Sequence, residues 1–106
     1  MKKPRIAFSD AAIADILEQS DWHEAQADWS LAHHWEEAAT ATLLRIAQRP
    51  RIGLRCSFTA DELRGTRRMP VAGFAKHLIF YQSRERKILV LGVVHGARDL
   101  ESLFSE

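Results

Sequence analysis

The densest concentration of groups able to meet an anion is Arg64, Arg67 and Arg68, three arginines within five positions. Guanidinium groups spaced this closely suit phosphate or carboxylate, so a nucleic-acid backbone or an acidic protein segment is a candidate ligand. The competing structural reading is a solvated edge strand kept from aggregating by its charge. Other reactive types are sparse. His23, His33, His34 and Cys56 are the potential metal ligands, but adjacent histidines on a helix diverge by about 100°, and no pair stands at the i, i+4 spacing that puts two on one face. No metal or other cofactor is therefore expected. Cys56 sits in no nucleophile signature, and as the single cysteine it rules out an internal disulfide and fits a reducing compartment.

The elements that must position these groups follow from periodicity. Ile6 and Phe8 alternate within Arg5 to Ser9 as in a short strand, and Ser9 can cap a following helix while Asp10 favours its positive end. Ile13, Ile16 and Leu17 give that helix an apolar stripe, and it fades between Asp21 and Ala27. A longer helix runs from Asp28 to Arg49, stopped by Pro50, with Leu31, Trp35, Ala38, Thr42, Leu43 and Ile46 on one face. Residues 50 to 65 are irregular apart from a helical turn at Asp61-Glu62-Leu63.

Strand character returns at Arg67 to Val71, where Pro70 requires an edge or bulge because it has no N–H to donate. Ala72-Gly73 turns the chain. Lys76 to Gln82 and Lys87 to His95 are rich in branched and aromatic residues and form a hairpin through Ser83-Arg84-Glu85-Arg86. In it Leu78 and Phe80 oppose Ile79 and Tyr81, and Ile88, Val90 and Gly92 oppose Leu89, Leu91 and Val93. Both faces are apolar, so one must be covered by something besides the helices: the tail (Leu100, Leu103, Phe104), a partner, or nothing. The fold expected is α+β, a two-layer sandwich of an N-terminal strand, an antiparallel helical hairpin and a three-stranded antiparallel β-meander. A chain of 106 residues holds one such domain over 1–106.

With 46% hydrophobic and 27% charged residues the chain can bury a real core. No stretch reaches the ~20 apolar residues of a membrane span, and the first residues lead into a strand instead of a secretory signal, so the cytoplasm is the expected location. The net charge of +1 hides an asymmetry. Residues 1–48 carry four basic and eight acidic side chains, net −4, and residues 49–106 carry eleven and six, net +5. No helix combines basic residues with the pattern of a DNA-reading element, so sequence-specific DNA binding by this chain alone is not expected.

The order of these elements, with Arg49-Pro50-Arg51-Ile52-Gly53 closing the helical pair and Glu62-Leu63-Arg64-Gly65-Thr66-Arg67-Arg68-Met69-Pro70-Val71 as loop and strand, resembles the ParE branch of the RelE/ParE toxin family. The most specific stretch is Leu78-Ile79-Phe80-Tyr81 followed by the strand ending His95-Gly96-Ala97-Arg98-Asp99. The resemblance implies the toxin of a type II toxin-antitoxin pair, forming a hetero-oligomer with a ParD-like antitoxin that wraps the helices and the sheet, and acting on DNA gyrase by protein contact. Target contacts are then expected among His95, Arg98, Asp99, Arg67 and Arg68, and antitoxin contacts among Trp29, Arg64, Ile79, Tyr81, Leu89 and Leu91. Gln82 stands where many relatives carry a basic residue, and Trp22, Trp29 and Trp35 make the helices unusually aromatic.

Two other readings share the fold. The RelE branch cleaves mRNA on the ribosome, and here its chemistry would fall to His95, Arg98, Arg67, Arg68 and Lys76. The strand arginine of such nucleases aligns with Leu78, and the tail has no tyrosine to activate a 2′-hydroxyl. The third reading is an inactive member that only binds its antitoxin and co-regulates their operon.

Overall fold

The structure is a computed structural model that describes residues 5–26 and 29–95. The chain runs β1 (Arg5–Phe8), α1 (Asp10–Gln26), α2 (Trp29–Gln48), β2 (Leu54–Arg55), a 3-10 turn at Asp61–Leu63, β3 (Arg67–Val71), β4 (Phe74–Arg84) and β5 (Lys87–His95). The strands form one mixed sheet in the order β1-β5-β4-β3-β2. The expected meander is its centre. To this the fold adds β1, parallel to β5 with Ile6 opposite Ile88, and the two-residue β2 on β3, inside the segment expected to be irregular. The helices pack on each other, α1 against β5 and α2 against β3.

Their core joins Ala12 on α1 and Trp35, Ala39 and Ile46 on α2 to Val71, Ile79, Tyr81, Ile88, Val90 and Val93 of the sheet. Strict alternation in β5 fails at one place. Tyr81 pairs with Val90 and Phe80 with Gly92, so Leu91 is an extra residue, a bulge. Beyond it the faces exchange, and Val93 joins Val90 against the helices while Gly92 turns outward opposite Phe80.

The bulge lies where β1 has ended and the edge of β5 would otherwise be open. Here α1 completes it. The Ser9 hydroxyl caps α1 by accepting from the Ala12 N–H (3.0 Å) and donates to the Leu91 carbonyl (2.9 Å), and the Asp15 carboxylate accepts from the Val93 N–H (3.0 Å). These bonds set the rotation of α1. The expected stripe is consequently turned by one position: Ala12 and Ile16 face inward, while Ile13 and Leu17 are 47% and 61% exposed. On α2, Thr42 donates to the Ala38 carbonyl and accepts from Ala72 N–H (3.1 Å), which ties the helix to the β3–β4 turn.

The outer face of the sheet is partly closed by the chain itself. Gln82, paired with Leu89 on that face, is buried and donates through Nε2 to the Glu62 carbonyl (2.8 Å) and the Thr66 hydroxyl (3.2 Å). This pins residues 62–66 across it. The expected cover, Leu100, Leu103 and Phe104, lies outside the described residues. Pro70 stands beside an irregularity in the β3–β4 register, beyond the reach of β2, as its missing N–H requires. The hairpin turn contracts to Glu85-Arg86, both with positive φ (47° and 64°), because β4 and β5 pair as far as Arg84 and Lys87.

Left-handed backbone at a residue with a Cβ costs about 1–2 kcal/mol, so Arg86→Gly should raise stability by roughly 1 kcal/mol in urea unfolding; a loss would mean that the Arg86 side chain contributes more than its strain. Burial raises the Asp15 carboxyl above its usual value, with Glu18 adding to that and the Val93 N–H opposing it. A carboxyl raised in the native state holds its proton more tightly there than in the unfolded chain. Its ionisation therefore weakens the fold as pH rises from the ordinary carboxylate range to the native value. Asp15→Asn keeps an acceptor for Val93, and its stability relative to the parent chain should be higher at pH ~7 than at pH ~4; a gap independent of pH would refute the assignment.

Candidate functional site

The site begins where α2 stops. Arg49 N–H still reaches the Arg45 carbonyl (2.9 Å), Pro50 ends the ladder, and Ile52 N–H turns back to the Arg49 carbonyl (2.9 Å). The turn is held from below by one side chain. The Tyr81 hydroxyl on β4 donates to the Pro50 carbonyl (2.8 Å) and accepts from the Gly53 N–H (2.9 Å). A Cβ on Gly53 would stand 2.6 Å from the Tyr81 oxygen and 2.7 Å from the Arg68 carbonyl, so the approach of loop to sheet admits only glycine. Burial pushes the Tyr81 phenol above its usual value, while the Gly53 N–H and the charge of Arg67 pull the other way. It stays neutral and serves as a latch.

Arg67 finishes the loop. From β3 its Nη1 donates to the Gly53 carbonyl (2.8 Å) and, more loosely, to the Arg51 carbonyl (3.3 Å). Between this loop, β2 and the end of β4 lies an open groove of about 800 Å3, lined by Arg49, Pro50, Arg51, Ile52, Arg55, Gly65, Arg67 and Ser83. Four guanidinium groups border it, and among the described residues no carboxylate does. The ion pairs among the described residues that involve arginine include none of these four; Arg64 pairs with Asp61 at 3.0 Å on the surface.

The cluster expected from sequence is thus divided. Arg67 is paired with Tyr81 and lies on the helix side of the sheet, whereas Arg68 is paired with Phe80 and exposed on the outer side. Lys76, next to the inward-facing His77, is exposed on the outer side too. Arg64 is exposed, and its carbonyl lies 3.4 Å from the Gln82 amide. The sequence places Arg49 and Arg51 in the motif that closes the helical pair and assigns neither a binding role, and Arg55 belongs to no motif. The signal available was the recurrence of arginine at 49, 51 and 55 on both sides of a helix-ending proline.

Of the residues expected to meet a partner, Ile79 and Tyr81 are taken into the core at 1% and 0% exposure, so they present no surface. The reason is the face they share: both lie under the helices. Leu89 and Leu91 remain half-buried, Leu89 on the outer face and Leu91 in the bulge. Arg98 and Asp99 lie outside the described residues, and for His95 and Trp29 the backbone alone is described, His95 closing β5 opposite His77.

The two neighbouring histidines of α2 go to different partners, His33 Nε2 to Glu37 (2.8 Å) and the His34 ring to Phe74 (5.7 Å between centroids). Among the described residues no group of three potential ligands surrounds a metal position. Burial raises the Cys56 thiol above its usual value, opposed by Arg68, which keeps it in the poorly nucleophilic thiol form.

Comparison with known proteins bears on this arrangement. A family model described as the ParE toxin of the type II toxin-antitoxin system parDE matches residues 6–100. A solved chain of the chromosomal ParDE TA system from P. aeruginosa has the same fold, with a TM-score of 0.72 at 12% identity over 90% of this chain and 98% of that one. No curated protein matches.

Tyr81→Phe keeps the ring and removes the latch, leaving the Gly53 N–H and Pro50 carbonyl without their partner. Each orphaned buried group costs about 1–3 kcal/mol, so urea unfolding should show a loss of about 2 kcal/mol or more, and Gly53→Ala a comparable one. A Tyr81→Phe variant within about 0.5 kcal/mol of the parent, the usual range for an inconsequential change, would remove the latch from the account.

Proposed function

The chain belongs to the ParE toxin family of type II toxin-antitoxin systems, and from that premise we propose that it is a cytoplasmic toxin neutralised by a ParD-like antitoxin and inhibits DNA gyrase by protein contact, not by covalent chemistry. The observation that carries the non-enzymatic reading is the division of the basic groups. Arg67 lies on one side of the sheet and is committed to the loop carbonyls, while Arg68 and Lys76 lie on the other. Acid–base cleavage of a phosphodiester needs such groups converging on one phosphate within hydrogen-bonding reach. The single tyrosine is buried, with its hydroxyl bonded twice.

An antitoxin needs apolar purchase, and the rotation of α1 supplies it. Ile13 and Leu17, one turn apart, are exposed on the helical layer, the arrangement that an apolar strip on a partner would cover. With Leu89 and Leu91 on the sheet, Arg64 beside it and Trp29 on α2, they make the proposed antitoxin surface. The proposed target contacts are Arg68, His95, Arg98 and Asp99, with Arg67 shaping the adjacent loop. That the structural relative comes from a ParDE TA system supports a partner of the ParD kind.

Purified chain added to DNA gyrase with plasmid should block supercoiling or accumulate cleaved DNA, reversibly on adding antitoxin, and Arg98→Ala should weaken inhibition about tenfold, the effect of removing one charged contact worth ~1.4 kcal/mol. Gyrase left untouched by a large excess of folded protein would defeat the proposal, and cleavage of mRNA on a translating ribosome would replace it with the nuclease reading.

A further inference from the structure

We propose that the arginine groove at the end of α2 is a docking site for the phosphodiester backbone of duplex DNA, engaged through Arg49, Arg51 and Arg55 without reading the bases. Three properties of the groove argue for it. First, its charge is uncompensated within the described fold: four guanidinium groups share about 800 Å3, and no carboxylate lines it. Holding like charges together costs stability that an external anion returns. At the hairpin tip beyond Ser83, exposed Arg84 and Lys87 stand directly opposite each other beside Arg86, with Glu85 the one carboxylate in the turn. Like charges directly opposite are themselves unfavourable. An open groove bordered by four guanidinium groups suits an elongated polyanion better than a single carboxylate.

Second, few of the described side chains that line the groove are apolar residues. Pro50 and Ile52 are its sizeable apolar members, whereas the exposed Ile13, Leu17 and Leu44 lie on the helices and the exposed Leu54, next to Arg55 on β2, is not among the residues that line it. An acidic peptide that orders on binding must bury apolar area to offset its lost entropy; a duplex is already ordered, and its affinity comes from released counterions. Third, no aromatic side chain among the described residues lines the groove, and stacking on such side chains is what holds single strands. Arg67, bound to the Gly53 and Arg51 carbonyls, fixes the loop that carries the other cations.

The proposal concerns the chain by itself and does not depend on gyrase being the target, so either can fail alone. The probe is a fluorescein-labelled mixed-sequence DNA duplex, titrated with the full chain and read by anisotropy. Engaging about three phosphates predicts a log–log salt slope near −2.7, hence about 40-fold weaker binding at 200 mM than at 50 mM salt. The double substitution Arg51→Gln with Arg55→Gln alters exposed side chains outside the Tyr81 latch. It should weaken binding at least tenfold and flatten the slope toward about −0.9, while unfolding at the temperature of the parent chain. Arg68→Gln with Lys76→Gln, which removes equal charge from the outer face, should leave the slope within one-half of the parent value. Absence of binding at 50 mM salt, equal loss in the two double variants, or tighter binding of single-stranded RNA or poly-glutamate than of the duplex would each overturn the proposal, the last two reassigning the groove to single strands or to an acidic protein segment.

Discussion

One phenol hydroxyl holds the helical layer to the sheet at the end where the charged groove forms. Tyr81 bonds the Pro50 carbonyl in the helix-ending turn and the Gly53 amide beyond it, the first bond partly buried and the second buried, where an unmet polar group costs more than a met one returns. The remaining constraints follow from that closeness. Gly53 must lack a side chain because the phenol and the Arg68 carbonyl occupy its place. The Gly53 carbonyl, turned away from Tyr81, is met by Arg67, so a cation is drawn to the helix end, where the backbone dipole favours it. Arg49, Arg51 and Arg55 then project from a loop whose path is fixed at three points.

The opposite end of the sheet solves a different problem. β1 covers only the first half of β5, and the remaining edge would expose backbone groups able to pair with another chain. The extra residue Leu91 re-aims the strand, and α1 closes it with Ser9 and Asp15. Because those bonds dictate how α1 is rolled, they also decide that Ile13 and Leu17 face outward. Edge protection and the presentation of an apolar strip are therefore consequences of the same two hydrogen bonds.

Together these arrangements separate the molecule into an acidic helical layer with exposed leucine and isoleucine and a basic rim at the α2 terminus. Ile13 and Leu17 on α1 and the guanidinium groups around the α2 terminus thus belong to different parts of the surface. The buried Gln82 belongs to neither: it fastens residues 62–66 over the outer face, which explains why an amide follows the apolar run Leu78 to Tyr81 in β4.

Much of this architecture was legible in the sequence because it depends on local chemistry. Pro50 must end a helix, Ser9 must cap one, Pro70 must avoid a central ladder, and the runs from Lys76 and Lys87 can hardly be other than paired strands. The motif Arg49 to Gly53 marked the loop, and the order of elements marked the family. What only the tertiary structure decided depends on residues far apart in the chain meeting at particular angles. A one-residue bulge at Leu91 leaves no trace in composition, yet it moves Val93 to the other face of the sheet and sets the roll of α1. The closeness of Arg67 and Arg68 in sequence suggested one site, but strand geometry sends neighbours to opposite faces; Arg67 instead gathers with Arg49, Arg51 and Arg55, brought to it by the fold and held there by Tyr81. Sequence adjacency determines which elements form, and packing determines which charges share a surface.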